Sequence, residues 1–196
     1  MITLNNIKKT FRSKGNKVEA LKGVTLTLPD NGIVILLGES GSGKSTLLNA
    51  LGGLDSYEGS IDYGTERAHG DSINKFDEYR RLNIGYIFQD FYLNDDLSVV
   101  DNIRQGLQIV GITEEAEVKK RTNQALFAVS MSLFKKRLCS QLSLGQKQRI
   151  AIARSLAINP KIILADEPTG NLDSKNSQQI MRILKKISSN MLVVIV

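Results

Sequence analysis

Residues 38–45 read GESGSGKS, a glycine-rich segment that ends in Lys44 and Ser45. It matches the pattern G-x-x-x-x-G-K-[ST], in which backbone amides and a helix N-terminus surround phosphate groups. The motif needs a strand before it and a helix after it. Both are predicted, because residues 33–37 are apolar and residues 44–51 follow helical periodicity. The stretch therefore predicts a nucleotide phosphate loop, with Lys44 on the β and γ phosphates and Ser45 on Mg²⁺.

The phosphate loop does not by itself identify the enzyme, because kinases, GTPases and motors share it. A second feature narrows the choice: Asp166 and Glu167 stand directly after the apolar run at residues 162–165. The carboxyl end of a buried strand is where open parallel sheets bind their ligands. We expect Asp166 to hold Mg²⁺ through its water shell and Glu167 to polarise the water that attacks the γ-phosphate.

Strand-like and helix-like segments alternate along the chain. The predicted strands cover residues 2–4, 24–28, 33–37, around 61, 84–88, 162–165 and 192–196. The predicted helices cover residues 44–51, 99–110, 114–129, 144–158 and 174–187, the last with Asp173 or Ser174 as its cap. The alternation predicts an α/β fold with a mainly parallel sheet, and the run of helices between residues 97 and 159 predicts an inserted helical subdomain.

Composition is typical of one soluble globular domain. The chain has 196 residues, 41% of them hydrophobic and 23% charged, which suffices for one α/β core but hardly for two. No apolar run approaches the roughly 18–20 residues that cross a bilayer, and no secretory signal follows Met1. The single cysteine, Cys139, fits a reducing compartment, so we expect the cytoplasm. A net charge of +6 does not choose between nucleic acid, lipid and nucleotide.

The order of motifs resembles that of ATP-binding cassettes, the ABC ATPase family. Residues 142–146 read LSLGQ and precede the acid pair, as the family signature does. Gln89 resembles the Q-loop glutamine, and residues 169–173 (TGNLD) resemble the D-loop. Phe11 is similar in placement to the aromatic residue that stacks on adenine. The resemblance covers nearly the whole chain.

The resemblance implies one P-loop NTPase domain over residues 1–196, with an antiparallel β portion at the N-terminus. Its core is expected over residues 1–88 and 161–196, and its helical subdomain over about 89–160. In the family, the signature serine and the residues after it contact the γ-phosphate held by a second subunit, which a helix N-terminus favours. The resemblance thus implies a head-to-tail dimer with two composite sites, released when ATP is hydrolysed.

The predicted site has three sets of residues, which overlap. The catalytic residues are Glu167, Lys44 and Gln89. The ligands of Mg²⁺ are Ser45, Gln89 and Asp166. The residues that bind ATP are Phe11, Gly38, Glu39, Ser40, Gly41, Ser42, Gly43, Lys44, Ser45, Thr46, Gln89, Ser143, Gly145, Gln146 and Asp173.

Two departures from the family pattern bear on activity. Leu144 replaces the first glycine of the signature pair. The family also has a histidine just after the strand that here ends at Val196, and this chain has none there. Its only histidine, His69, lies far upstream in a Gly-rich turn, where we expect it to be solvated. We therefore expect slow hydrolysis or none from a chain that ends at Val196, and we expect the natural protein to continue past this strand, with a fused permease as one possibility.

Two stretches are similar to the macrolide-exporter, lipoprotein-release and antimicrobial-peptide group: residues 36–49 and DEPTGNLD at residues 166–173. Members act with membrane permeases, so the resemblance implies a location on the cytoplasmic side of the membrane, with a second cassette and a permease as partners and no nucleic acid. The alternative is a non-transport ABC ATPase that regulates a membrane partner in cell division. DNA-repair and ribosome-bound cassettes fit less well, because the chain has neither a long coiled-coil insertion nor a second cassette. A small-molecule kinase would leave residues 143–149 without a role.

Overall fold

Two sheets form the frame of the molecule in a computed structural model that describes residues 1–13, 15–64, 66–70 and 73–196. The first sheet is antiparallel and contains β1 (Ile2–Ser13), β2 (Asn16–Leu28), β4 (Glu58–Asp62) and β5 (Arg67–His69), in the order β2-β1-β4-β5. The second contains β3 (Gly32–Ile35), β6 (Ile84–Ile87), β7 (Ile162–Ala165) and β8 (Leu192–Ile195), in the order β3-β8-β7-β6. All of its neighbours are parallel. The predicted α/β architecture is confirmed.

The described part of the chain has six α-helices, five of which were predicted to within one residue at each end. They are α1 (Lys44–Leu51), α2 (Ile73–Asn83), α3 (Val99–Ile109), α4 (Glu115–Ala128), α5 (Leu144–Ala157) and α6 (Ser174–Ile187). Two 3₁₀ turns, Ser132–Phe134 and Cys139–Gln141, lie between α4 and α5. Residues 89–160 thus contain three helices, but the boundaries of a helical subdomain stay a prediction.

Three differences from the sequence predictions concern the antiparallel sheet. Strands β1 and β2 are much longer than predicted and form one hairpin, from the pair Ile2↔Leu28 to the pair Ser13↔Asn16. Helix α2 was not predicted, because its sequence is rich in charged residues and has no clear apolar periodicity. It packs through an aromatic contact that is distant in sequence: the ring of Phe76 stacks on that of Tyr63, with centroids 4.8 Å apart. The prediction of a turn at His69 was wrong. That residue is exposed and lies in β5, opposite Ser60, because pairing with β4 extends the backbone there.

The parallel sheet separates two apolar cores. Along β7, Ile162 and Leu164 belong to one core and Ile163 and Ala165 to the other, as the two-residue period of a strand requires. The first core lies between this sheet, α1 and the antiparallel sheet, and the second lies between the sheet and helices α3 to α6. Strand β7 is buried at all four positions. The acids that follow it are therefore held at a rigid edge.

Replacing Leu48 by alanine tests this construction. Leu48 lies in α1, directly after the phosphate loop, and is 0% exposed in the first core. We expect Leu48→Ala to lower the free energy of unfolding by about 2–5 kcal/mol, because it removes buried methyl groups and leaves a cavity. Urea unfolding followed by circular dichroism measures the change. Leu133→Ala, at a side chain that is 96% exposed, is the matched control and should stay within about 0.5 kcal/mol. Equal losses in the two variants would contradict the packing described here.

Candidate nucleotide site

The phosphate loop connects the carboxyl end of β3 to the N-terminus of α1. Gly43 has a left-handed backbone, with φ of 92°, and a Cβ atom there would lie 2.5 Å from the carbonyl oxygen of Ala20. Only glycine fits this contact between the loop and β2. The first turn of α1 contains no acidic residue and has no side-chain cap. Its amide groups are therefore available to an anion.

The ammonium group of Lys44 holds the loop in a curved shape. Its Nζ donates hydrogen bonds to the carbonyl oxygens of Gly38, at 2.9 Å, and Glu39, at 2.8 Å. The amide of Ser42 also donates to the Glu39 carbonyl, at 3.2 Å. Residues 37–42 are exposed. The loop thus presents a fixed positive charge in a cradle that is open to a phosphate group.

The structure brings Ser45 and Asp166 together, although they are distant in sequence. The Ser45 hydroxyl donates to Asp166 Oδ1 at 3.0 Å. Asp166 is held at the edge of the sheet because its amide donates to the Ile87 carbonyl, at 2.9 Å. A hydroxyl and a carboxylate are the hard oxygen ligands that Mg²⁺ prefers. The described residues contain no cluster of three or more His, Cys, Asp or Glu side chains that could hold a metal ion, so a magnesium ion here would also need ligands of other kinds, such as the predicted Gln89, water and nucleotide phosphates.

Glu167 has an unusual backbone conformation. Its φ is 43°, in the left-handed region that costs a residue with a side chain about 1–2 kcal/mol. Two hydrogen bonds hold it there: its amide donates to the Val196 carbonyl at 3.1 Å, and its carbonyl accepts from the Gly170 amide at 3.0 Å. The side chain is exposed. The strain directs this carboxylate away from the strand and toward the loop that follows β6.

Gln89 lies in that loop and faces the same small volume as Glu167. A Cβ atom built on Gly170 would lie 3.2 Å from Glu167 Oε2 and 3.5 Å from Gln89 Nε2. Asn171 Nδ2 also donates to the Gln89 carbonyl, at 3.5 Å. Two of the three predicted catalytic residues, Glu167 and Gln89, are therefore close together in the structure, and the glycine at 170 leaves room for both side chains.

Tyr86 forms the inner wall of this region, in β6. Its hydroxyl donates to Asn49 Oδ1 at 2.5 Å, which ties β6 to α1. Burial and, to a lesser degree, the negative charge of Asp166 raise the pKa of this hydroxyl above its usual value. Tyr86 therefore stays protonated at neutral pH and acts as a hydrogen-bond donor rather than as a base.

The signature residues form the N-terminus of α5. Ser143 and Gln146 make a capping box: the Gln146 amide donates to Ser143 Oγ at 3.3 Å, and the Ser143 amide donates to Gln146 Oε1 at 3.0 Å. Gly145 is buried, and a Cβ atom there would lie 2.3 Å from Asn176 Oδ1. Leu144 is 54% exposed. A side chain at position 145 would therefore displace the Asn176 side chain, whereas Leu144 extends into solvent.

Two other predicted residues have local partners. Asp173 caps α6, because its carboxylate accepts hydrogen bonds from the Asn176 amide at 2.9 Å and from Asn176 Nδ2 at 2.6 Å. These two hydrogen bonds, the first more than the second, hold the pKa of Asp173 below its usual value. Phe11 is 45% exposed on β1, with the Lys9 ammonium 5.1 Å from its ring centroid. Its ring is open to stacking, so its role with adenine stays a prediction.

Comparison with known proteins identifies this arrangement. Residues 21–170 match the family of ABC transporters. The chain belongs to the ABC transporter family. It is an ABC ATPase, an ATP-binding cassette with the P-loop NTPase fold that the sequence predicted, and it binds and hydrolyses ATP.

Several relatives and solved structures of the ABC family are similar over most of this cassette. An uncharacterised ABC transporter ATP-binding protein of Methanocaldococcus jannaschii is 40% identical over 96% of this chain and 82% of its own. The lipoprotein-releasing system ATP-binding protein of Treponema denticola is 37% identical over 94% of this chain and 81% of its own. A solved dimeric cassette, in a post-hydrolysis state with ADP and Pi, has a TM-score of 0.86 and 37% identity over all of this chain and 87% of that one. Among the residues described here, none of the helices combines the length and the apolar character needed to cross a membrane.

Sequence patterns missed the side chains that join the motifs to each other. Gln148 is 1% exposed and donates from Nε2 to the Pro168 carbonyl at 2.8 Å. Arg154 donates to the Phe91 carbonyl at 2.9 Å, just after Gln89. Both polar residues lie in an ordinary helical pattern, and only the packing of α5 on the sheet makes them partners of the site. Gln148 lies within the signature run of residues 143–149, but nothing in the sequence indicated its buried partner, and no local signal indicated Arg154.

Asp173 makes stability at low pH testable. Because its pKa is lower in the folded state, its stabilising contribution is present above the unfolded pKa, near 3.8, and is lost as the pH falls through the folded value. We expect Asp173→Ala to lower the melting temperature at pH 7, with a difference that narrows as the pH is lowered below about 4. Asp173→Asn is the matched control, since asparagine caps without titrating. A constant difference between the wild type and Asp173→Ala from pH 7 to pH 3 would rule out the cap.

Proposed function

We propose that two copies of this cassette close head to tail around two Mg·ATP and thereby drive a membrane permease. The observation that carries the proposal is the way the motifs are divided within one chain. Ser45 donates to Asp166, and Gln89 lies beside Glu167, whereas in the described part of the chain no hydrogen bond links the signature residues to the phosphate loop. A complete site therefore needs the signature of a second copy. Solved dimers that are 37% and 39% identical to this chain support the pairing.

Within one subunit, each residue has a proposed task. The loop of residues 38–46 and the Lys44 ammonium bind the β and γ phosphates, while Phe11 stacks on adenine. Ser45, Gln89 and Asp166 hold Mg²⁺. When bound, this ion neutralises charge on the β and γ oxygens.

Glu167 is proposed as the base of the reaction. The carboxylate orients the attacking water by accepting a hydrogen bond from it, and Oε1 or Oε2 then takes its proton. As the water oxygen bonds to the γ-phosphorus, the bond from this phosphorus to the β–γ bridging oxygen breaks, and ADP is the leaving group. Gln89 Nε2, adjacent to this carboxylate, donates a hydrogen bond that fixes the position of the water. The strained backbone of Glu167 aims the side chain before ATP binds, so little reorganisation is needed.

The partner subunit supplies the second half of each site. Ser143, Gly145 and Gln146 stand at the N-terminus of α5, whose dipole favours the negative γ-phosphate. Asp173 lies at the N-terminus of α6, which contacts the signature through Gly145 and Asn176, and is proposed to line the same interface. Loss of the γ-phosphate removes the group that both subunits share, so the pair separates.

A permease partner is supported by the names of the relatives. They include lipoprotein-releasing ATP-binding proteins and a macrolide export ATP-binding/permease protein of Chlorobaculum tepidum, which is 39% identical and 28% covered by this chain. We therefore propose that the cassette lies on the cytoplasmic side of the membrane and drives the export of a peptide, lipoprotein or drug. A methionine import ATP-binding protein of Pseudomonas putida is also 36% identical to this chain, so import is the alternative to export.

A groove beside the Gln89 loop is the proposed binding site for the permease. It has a volume of about 420 Å³, and its lining includes Leu54, Tyr92 and Ile109, which are 43%, 66% and 70% exposed. Exposed apolar side chains around a concave surface favour contact with another protein. The groove adjoins the loop of Gln89, so a permease there could sense the catalytic region.

Trapping the ATP-bound dimer tests the proposed function directly. Glu167→Gln should bind ATP but lose the base, so it should accumulate as a dimer in Mg·ATP and stay a monomer without nucleotide or with EDTA. Light scattering measures the mass. The double variant Glu167→Gln, Lys44→Ala is the matched control and should stay monomeric, because it lacks the phosphate-binding ammonium. A Glu167→Gln chain that binds ATP and remains a monomer would contradict the proposed head-to-tail dimer.

Purification from membranes tests the partner. The full protein should co-purify with a multi-span membrane protein, and Ile109→Asp should reduce the yield of this complex at least about tenfold by placing a charge in an apolar interface. Lys175→Asp, at an exposed position of α6, should leave the yield unchanged. A partner that assembles cell-wall or division proteins rather than moving a cargo would favour the cell-division alternative. Association with DNA or ribosomes that persists at high salt would contradict both.

A further inference from the structure

Gln148 links the signature helix to the catalytic turn. It lies one turn after Ser143 on α5 and is 1% exposed. Its Nε2 donates a 2.8 Å hydrogen bond to the carbonyl oxygen of Pro168, the residue that follows Glu167. One buried bond therefore connects the helix proposed to face a partner's ATP with the turn proposed to act on the chain's own ATP.

The turn at Glu167 needs such a restraint. Glu167 is in the left-handed region, with φ of 43°, a conformation that residues with side chains adopt only when their surroundings hold them there. Pro168 has no amide hydrogen, so its carbonyl is its one backbone group that can form a hydrogen bond. Gln148 is the partner of that carbonyl. Without this bond, the Pro168 carbonyl has lost its restraint, and the turn depends on the hydrogen bonds of the Glu167 amide and carbonyl.

The stability of the core does not account for a glutamine at this position. Its other polar atom, Oε1, is buried and has no hydrogen-bond partner in the part of the chain that the structure describes. A buried acceptor without a partner destabilises a protein; an apolar side chain of the same shape would remove this one but would leave the Pro168 carbonyl unpaired in its place. What the glutamine adds is the donor, and the donor is used by the catalytic turn alone.

The rest of α5 is anchored to the sheet. Ser155 Oγ donates to the Tyr86 carbonyl at 2.6 Å, and Arg154 donates to the Phe91 carbonyl at 2.9 Å. Both contacts lie in the C-terminal half of the helix, next to β6 and the segment after Gln89. Because the C-terminal half is anchored, α5 does not slide as a whole when its N-terminal end moves. The Gln148 side chain then moves with that end and displaces the Pro168 carbonyl to which it is hydrogen-bonded.

We propose that Gln148 is a positioning residue for ATP hydrolysis, which rests on the role proposed for Glu167. By holding the Pro168 carbonyl, it aims Glu167 when the signature helix is in place. When the N-terminus of α5 docks on the partner's ATP, the same bond transmits the docked position to the turn at Glu167.

Single-turnover hydrolysis, with the full chain in excess over Mg·ATP, tests the proposal in Gln148→Met. This change keeps the shape and removes the donor. We expect the rate to fall roughly 10- to 100-fold, as a displaced catalytic group causes. ATP affinity should stay within about twofold, because the phosphate loop is untouched. The urea midpoint should stay close to that of the wild type, because the variant removes one unpaired buried acceptor, Gln148 Oε1, and leaves another, the Pro168 carbonyl. Exchange of the Gly170 amide hydrogen with solvent should be faster, because its hydrogen bond to the Glu167 carbonyl is weakened.

Gln108→Met, at an exposed position of α3, is the matched control. It should match the wild type in all four measurements: the rate, the ATP affinity, the urea midpoint and the exchange at Gly170.

A second variant separates positioning from packing. In Gln148→Glu, the introduced carboxyl can donate to the Pro168 carbonyl only when protonated, and burial raises its pKa. The rate of this variant should therefore approach that of the wild type at low pH and fall more steeply as the pH rises. It also decides the matter if Gln148→Met does not fold.

Two results would overturn the proposal. One is a wild-type rate in Gln148→Met; the other is a slow rate with unchanged exchange at Gly170 and no pH-dependent recovery in Gln148→Glu. Failure of the proposed base is distinguishable, because Glu167→Gln would then hydrolyse ATP at the wild-type rate whatever the Gln148 variants do.

Discussion

Burial of β7 on both faces is the constraint on which the nucleotide site depends. All four of its residues are buried, and it lies between β6 and β8 with Ile162 opposite both Ile84 and Leu192. A shift of this strand by one residue would exchange the side chains of the two cores, so its register is strongly specified. The register in turn places Asp166 at the edge of the sheet, where Ser45 reaches it at 3.0 Å. The position of the site thus follows from the apolar packing of β7, the strand that directly precedes Asp166.

The site also contains conformations that packing alone would disfavour. Gly43 and Glu167 both have positive φ, at 92° and 43°, one with a glycine to relieve the strain and the other without. The sheet edge compensates for the second, because the Glu167 amide is bonded to the Val196 carbonyl. A rigid edge that holds a strained carboxylate is what preorganised catalysis requires.

Helix α5 gives the molecule its second organising element. Its N-terminus carries the signature, and its buried face carries Gln148, Arg154 and Ser155, each of which hydrogen-bonds to a different segment around the site. The departure from the family pattern at Leu144 is local, because that side chain is 54% exposed. Gly145 is not free to change in the same way, since Asn176 occupies the space that a Cβ atom would need.

Local patterns in the sequence were sufficient to predict α1, α3, α4, α5 and α6, the strands of the parallel sheet and the residue types of the site, because apolar periodicity and the glycine-rich loop are properties of contiguous residues. They did not predict α2, whose stability depends on Phe76 packing against Tyr63 across a gap in sequence. The motifs and their order are local, so the amino-acid sequence was enough to predict a nucleotide-binding cassette. The contacts of Ser45 with Asp166, of Gln89 with Glu167 and of Gln148 with Pro168 are visible only in the folded chain, because they form where separate strands and helices converge in space.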